Sequence, residues 1–259
     1  MSAGNEPFSL DIEERKRGKV AIITMDLLPP NNTFNREMQI GFLDTMNRAA
    51  DQADAIVVTS ANEKFFSNGM DGKFLVESDT EMRKETVFAM VRFFGDVLAC
   101  PKPIIAEIGG FAMAGGAVLS VACDYRYMLA DSGRIGFSEL LVGFMLPACY
   151  TRGMHALVQP SAVRFMVEGA AYKPAEAEAI GLIDGVADSR EALRKQVMKR
   201  VDGILRLNPL AYLSTRNAYR KTLLDQVRAD EPGDIRNAEM LIESPDFEAA
   251  LGNIAGKNK

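Results

Sequence analysis

One carboxylate and two glycine-bearing turns are the residues of this chain best suited to chemistry. The first turn is Phe65-Phe66-Ser67-Asn68-Gly69-Met70-Asp71, the second is Gly109-Gly110-Phe111-Ala112-Met113-Ala114-Gly115-Gly116, and the carboxylate is Glu139 in Gly136-Phe137-Ser138-Glu139. Where a strand gives way to a helix, residues without side chains let a backbone N–H approach a ligand oxygen, and the helix start adds its positive end. Side by side, the two turns would aim the amides of Met70 and Gly115 at one oxygen, an arrangement that stabilises an enolate or a tetrahedral oxyanion. Glu139 is followed by Leu140, Leu141, Val142, Phe144 and Met145. Apolar neighbours make a carboxylate a poor ion-pair partner and a better proton carrier, because desolvation raises its pKa toward the working pH. Those same residues are expected to keep water away from a reactive intermediate.

Each feature also has a plainer reading. Glu139 out of context is a solvated surface acid, and the glycine run is a tight helix entry, without the spacing of a dinucleotide fingerprint. Asp71, Glu107 and Asp124 default to capping and structural roles. His155 has no Cys or His partner at zinc-like spacing, and Cys100, Cys123 and Cys149 lie far apart, so neither metal nor disulfide is expected. Most methionines fill core gaps, with Met70, Met113 and Met145 as candidates to shape a pocket.

Bulk properties narrow the function. At 259 residues and 47% hydrophobic, the chain has material for one large or two small domains. A net charge of −5 argues against a broad nucleic-acid face. Neither a secretory leader pattern nor a peroxisomal ending is seen at the ends, and no apolar run is long enough to span a bilayer. The expectation is a soluble, cytoplasmic protein that acts on small molecules, with no nucleic-acid or membrane partner.

The elements that must hold the three segments follow from periodicity. Lys19 to Met25 and Asp54 to Ser60 are β-branched runs that read as buried strands, with an amphipathic helix from Asn35 to Ala50 between them. Asn35 is placed to cap that helix, and Pro29-Pro30 punctuates the approach. A second amphipathic helix, from Glu81 to Cys100, leads into a strand at Ile104 to Ile108. A buried helix from Gly115 to Ala122 and a strand at Tyr125 to Ala130 repeat the unit. Beyond Pro160 the chain reads as helices broken at Gly181, Gly185, Asn208-Pro209, Pro232-Gly233 and Pro245, with one short apolar piece near Val186. Leu210, Leu213, Leu223 and Leu224 offer a face that docks on the body or on a neighbouring subunit. The fold class is α/β.

Over nearly its whole length the sequence resembles the crotonase (enoyl-CoA hydratase/isomerase) superfamily. Pro101-Lys102-Pro103-Ile104-Ile105-Ala106, the glycine turn, Cys123-Asp124, Gly136-Phe137-Ser138-Glu139 and Leu146-Pro147 carry the likeness in order. The resemblance implies a crotonase-like spiral of strand–strand–helix turns over residues 1–200. It also implies a helical C-terminal region over 201–259, serving oligomerisation and covering the acyl-CoA site, and a homotrimer or hexamer. The substrate would be a coenzyme A thioester, with no separate cofactor. Its carbonyl would sit on the amides of Met70 and Gly115, and its nucleotide end along Ser67, Asn68 and Gly69 with Asp71 beside them. Lys221, Arg228 and Lys257 are candidates for its phosphates. Hydratases of the family use two glutamates, and the position of the first is Val118 here. Valine transfers no proton, so hydration is disfavoured and the isomerase branch is the better likeness: Δ3,Δ2-enoyl-CoA isomerisation, with Glu139 moving one proton from C2 to C4. Thioester hydrolysis, hydration with an acid supplied elsewhere, and a silent acyl-CoA-binding subunit remain open alternatives.

Overall fold

The computed structural model describes residues 6–254. In chain order the strands are β1 (Phe8–Arg15), β2 (Gly18–Met25), β3 (Ala55–Ser60), β4 (Phe65–Ser67), β5 (Ile104–Ile108), β6 (Phe111–Met113), β7 (Tyr125–Leu129), β8 (Ile135–Gly136), β9 (Ala171–Tyr172) and β10 (Gly185–Ala187). The helices are α1 (Arg36–Gln52), α2 (Gly72–Glu77), α3 (Thr80–Leu98), α4 (Gly115–Ala122), α5 (Ala148–Leu157), α6 (Pro160–Met166), α7 (Pro174–Ala179), α8 (Arg190–Leu205), α9 (Pro209–Ile242) and α10 (Pro245–Ile254), with a 3-10 turn at Glu139–Val142.

Two sheets organise the body. The larger runs β1-β2-β3-β5-β7-β10 and the smaller β4-β6-β8-β9. Each of β3, β5 and β7 in the large sheet is followed at once by a short strand of the small one, β4, β6 and β8, so the chain winds as a spiral of strand, strand and helix. Within the spiral the pairings are parallel; β1 on β2 and β9 on β8 are antiparallel. Strands β3 and β5 are mostly apolar and buried almost throughout on both faces because helices cover the sheet on each side. One face packs on α1, α3 and α4 through Phe34, Phe42, Phe93 and Phe94, and the other on α8 through Leu193, Val197 and Val201.

Local chemistry places the helices largely where periodicity expects them. Asn35 caps α1, its Oδ1 accepting from Met38 N at 2.9 Å. Helix α4 is buried on every side, which explains its lack of a polar stripe. Residue 200 lies inside α8, which packs on the large sheet. Two expectations need correction. The chain has an additional strand, β1, whose exposed, charged outer face hides the usual apolar run. Pro232-Gly233 does not end a helix, since α9 runs through it for 34 residues. A proline inside a helix removes a hydrogen bond and costs about 3 kcal/mol in isolation. Here contacts on both sides hold the helix: Arg228 pairs with Asp96 at 2.6 Å, and Asp234 accepts from Ala148 N and Cys149 N at 2.7 and 3.0 Å.

A second anchor ties α9 to the spiral. Asp124, just beyond α4, is bridged by Arg216 and Arg220 at 2.8 Å each and accepts from Ile104 N at 2.8 Å. Burial works against its charge, yet the two guanidinium groups hold its carboxyl below the ordinary range. Breaking a buried ion cluster from one side leaves the other charges unpaired. Asp124→Ala is therefore expected to lower the unfolding free energy by about 3–5 kcal/mol, read as a lower denaturant midpoint with an unchanged slope.

Candidate active site

The geometry of the site follows from the small sheet. Strands β4, β6 and β8 lie side by side and parallel, so the turns that leave their C-terminal ends emerge on one edge: Asn68 to Asp71, Ala114 to Gly116, and Phe137 to Glu139. All three line a cavity of about 1050 Å³, through Asn68, Met70, Asp71, Ala114, Gly115, Ser138 and Glu139. That volume is at the upper end of the range for ligand pockets, about 300–1,000 Å³. Val118, one turn into α4, lines it too, with Met90 and Tyr150 from α3 and α5.

The first two turns touch through their backbones. Gly69 has φ +81, and a Cβ built on it would stand 2.6 Å from Gly115 N and 3.0 Å from Ala114 Cβ. Only glycine allows that approach and that conformation. Ala114, with φ 49 and ψ −120, precedes α4 without capping it through a side chain. An alanine there carries about 1–3 kcal/mol of backbone strain, held by Ala114 N donating to Gly136 O at 3.0 Å. The first amides of α4 are thus left without a capping side chain at its positive end. In the other turn, Asn68 N donates to Asn31 O, Gly69 N to Ser67 Oγ and Asp71 N to Phe34 O. The Met70 amide is the one in that run not engaged by a loop or turn bond among the described residues.

Four carboxylates line the cavity, and their surroundings separate them. Asp71 caps α2, accepting from Lys73 N and Phe74 N at 3.0 and 3.2 Å. Asp234 caps α5 with both oxygens. Glu77 is exposed and faces Lys73 at 3.9 Å. Glu139 alone has an oxygen, Oε2, that is enclosed and has no hydrogen-bond partner. Burial pushes its carboxyl up to about 7, against a smaller opposing effect of the backbone N–H groups of Glu139 and Ser138. A group at that value is divided between acid and base near neutrality, which suits it to take and return a proton.

The structure sorts the remaining expectations. Ser67 is fully buried with its hydroxyl inside the turn, and Gly69 is buried against Gly115, so both stand behind the cavity wall while Asn68, Met70 and Asp71 form it. The apolar residues after Glu139 do not all enclose it: Val142 and Phe144 face the cavity, but Leu140 and Leu141 are 42% and 69% exposed. A 3-10 turn at Glu139–Val142 rotates the two leucines outward, and Met90, Tyr150 and Leu146 complete the wall. Met70 and Met145 line the cavity, with Met90 in the place expected of Met113. Lys221 is paired with Asp225, and Arg228 with Asp96 and Glu231; the cation that lines the cavity is Lys73. Lys257 lies outside the described residues. Asp124 and Glu107 are in ion pairs with Arg216, Arg220 and Arg194, and His155 is exposed. The three cysteines are buried and free. Asp234, Tyr150 and Asn32 were not singled out by sequence; the only hints were Pro-Gly before Asp234 and the Asn-Asn pair after Pro29-Pro30.

Titration of Glu139 bears on stability. Its folded-state value lies above the ordinary 4.5, so its contribution is fully present at acid pH and is lost as the pH rises through about 7. Glu139→Gln is accordingly expected to match the parent protein's melting temperature at pH 4, below the ordinary value of 4.5. At pH 8.5 it should exceed it, by up to about 3 kcal/mol of unfolding free energy. Equal melting curves at both pH values would show that the carboxyl is not desolvated.

With the geometry in place, comparison with known proteins is informative. The pattern of the family described as enoyl-CoA hydratase/isomerase matches residues 15–259. A putative enoyl-CoA hydratase of Thermus thermophilus is 28% identical over 237 residues, covering 85% of this chain and 93% of that protein. The peroxisomal enoyl-CoA delta isomerase 2 of Arabidopsis thaliana is 29% identical over 188 residues, covering 69% and 78%. Among solved structures, human mitochondrial delta3-delta2-enoyl-CoA isomerase superposes with a TM-score of 0.88 at 18% identity, covering 98% of both chains, a likeness of fold.

Proposed function

The chain belongs to the enoyl-CoA hydratase/isomerase family, and on that premise we propose that it is a Δ3,Δ2-enoyl-CoA isomerase that uses Glu139 as its single base. The supporting observation is that Glu139 is the only one of four cavity carboxylates with an enclosed, unpartnered oxygen; the cavity is also lined by Val118, where the family resemblance puts the hydratases' first glutamate. Addition of water asks one group to activate the nucleophile and another to manage the α-proton. Here Asp71 and Asp234 are committed as caps and Glu77 is out in solvent. One base suffices for an allylic shift.

The reaction then runs within one molecule of substrate. Glu139 takes a proton from C2 of a 3-enoyl-CoA, and the electron pair of that C–H bond delocalises through the thioester and the C3–C4 double bond as a dienolate. The dienolate oxygen rests on the N–H groups of Met70 and Gly115, donors that are already in place and need no reorganisation. The carboxyl returns the proton at C4, leaving the double bond between C2 and C3. Val118, Met90, Phe144 and Tyr150 keep the intermediate from water. The coenzyme A portion is part of the substrate and the chemistry asks for no further cofactor. The nucleotide end is assigned to the segment from Ser67 to Asp71, where Asn68 and Asp71 offer surface and Ser67 and Gly69 give support.

We also propose assembly as a homotrimer or hexamer, in keeping with the exposed apolar side chains of Leu141, Val167, Leu210 and Met240, between 58% and 78% accessible in the single chain. A cytoplasmic location remains part of the proposal.

Conversion of trans-3-hexenoyl-CoA to the 2-enoyl thioester, followed by absorbance of the conjugated product, is the direct assay. Glu139→Gln should lower kcat by about 100- to 10,000-fold, and the parent rate should fall about tenfold per pH unit below 7. Gly69→Ala, which puts a methyl on the Gly115 amide, should cost about 100- to 1,000-fold. Full isomerase activity in Glu139→Gln, or hydration or thioester cleavage in place of the shift, would refute the reading. Light scattering should give a particle mass three or six times the 28.3 kDa of one chain.

A further inference from the structure

We propose that Ser67 and Asn32 are positioning residues for the oxyanion site, selecting the Met70 amide as a donor by consuming or fixing the polar groups around it. This rests on the reading that Met70 and Gly115 hold a thioester carbonyl. Gly69, just before Met70, has φ +81. Its N–H donates to the Ser67 hydroxyl at 3.1 Å, its carbonyl accepts from Phe34 N at 2.8 Å, and Asp71 N donates to Phe34 O at 2.9 Å. The bridge to Phe34 thus takes the groups on either side of Met70 and leaves the Met70 N–H facing the other way.

Without Ser67, the Gly69 N–H would be a buried donor with no partner, and a glycine peptide can turn to find one. Ser67 has 0% exposed surface and its oxygen serves this bond from two residues upstream. A hydroxyl there is a local clamp on the peptide that leads into Met70.

Asn32 fixes the loop that carries Phe34. It is 1% exposed with φ 54, a conformation asparagine tolerates better than most residues. Its Oδ1 accepts from Leu27 N at 2.7 Å, and its Nδ2 donates to Phe66 O at 2.6 Å and Ser60 Oγ at 3.0 Å. One amide side chain therefore bolts the loop from Leu27 to Phe34 onto β4, immediately before Ser67. Only a group that is donor and acceptor together makes that set of bonds. Neither Asn32 nor Ser67 lines the cavity. Both act through Gly69.

The test reads the carbonyl itself. Infrared difference spectra of a non-isomerisable 3-thia acyl-CoA, labelled with 13C at the thioester carbon, report how strongly the bound carbonyl is polarised. The parent protein should shift the C=O band to lower frequency. Ser67→Ala should lose at least half of that shift. Ser67→Cys, which keeps a weaker acceptor of similar shape, should fall between. Asn32→Asp keeps the acceptor for Leu27 N and loses both donated bonds, and should reduce the shift as Ser67→Ala does. In turnover, both variants should lower kcat about tenfold or more with KM within twofold of the parent, and should leave the acid limb near pH 7 in place. A full band shift in Ser67→Ala and Asn32→Asp overturns the positioning role. No shift in the parent protein overturns instead the assignment of Met70 and Gly115, so the two failures are distinguishable.

Discussion

Three parallel strands of two or three residues each, β4, β6 and β8, constrain everything else in this protein. Parallel pairing aligns the ends of neighbouring strands, so whatever follows them in sequence must emerge at the same edge. The three turns that follow are separated by tens of residues and still meet around one cavity. Pairs so short add little stability of their own. Their register is dictated by the large sheet, because each short strand is tethered to a long one a few residues before it.

That edge brings together groups which would be ordinary elsewhere. Backbone amides are useful as donors only when no carbonyl claims them, and the loop from Leu27 to Phe34 claims the neighbours of Met70 while sparing Met70. A carboxylate is useful as a base near neutrality only when water and cations are kept off it. The other acids of the cavity are spoken for as helix caps or lie in solvent, which leaves Glu139 to carry the electrostatic cost of burial. The raised proton affinity and the lack of a partner are one fact seen twice.

Helix α9 closes the arrangement from outside. At about 51 Å for 34 residues, it reaches from the ion cluster at Asp124 to the cavity wall at Ala238, Leu241 and Ile242. Its Asp234 caps α5, the helix that follows the segment bearing Glu139, so the C-terminal region is tied to that segment. A cap supplied from 86 residues downstream leaves no trace in the sequence beside α5 itself.

The chain by itself determined the α/β class, the long strands, helices α1, α3 and α4, the Asn35 cap and the two glycine turns, because periodicity, capping and glycine requirements are local. The likeness of ordered motifs added the family and pointed to Glu139, Met70 and Gly115. The strands β4, β6, β8 and β9, of two or three residues, have no periodicity to read, and β1 wears too many charges to look buried, so none of these is legible in the sequence, whereas β10 shows as the short apolar piece near Val186. Only tertiary structure decided that Leu140 and Leu141 turn outward, that Pro232 sits within a helix, that Ser67 supports a turn from behind, and that Asp234 is a cap. Each of those outcomes depends on which partner arrives from a distant part of the chain, and contact between distant segments is a property of the folded chain as a whole.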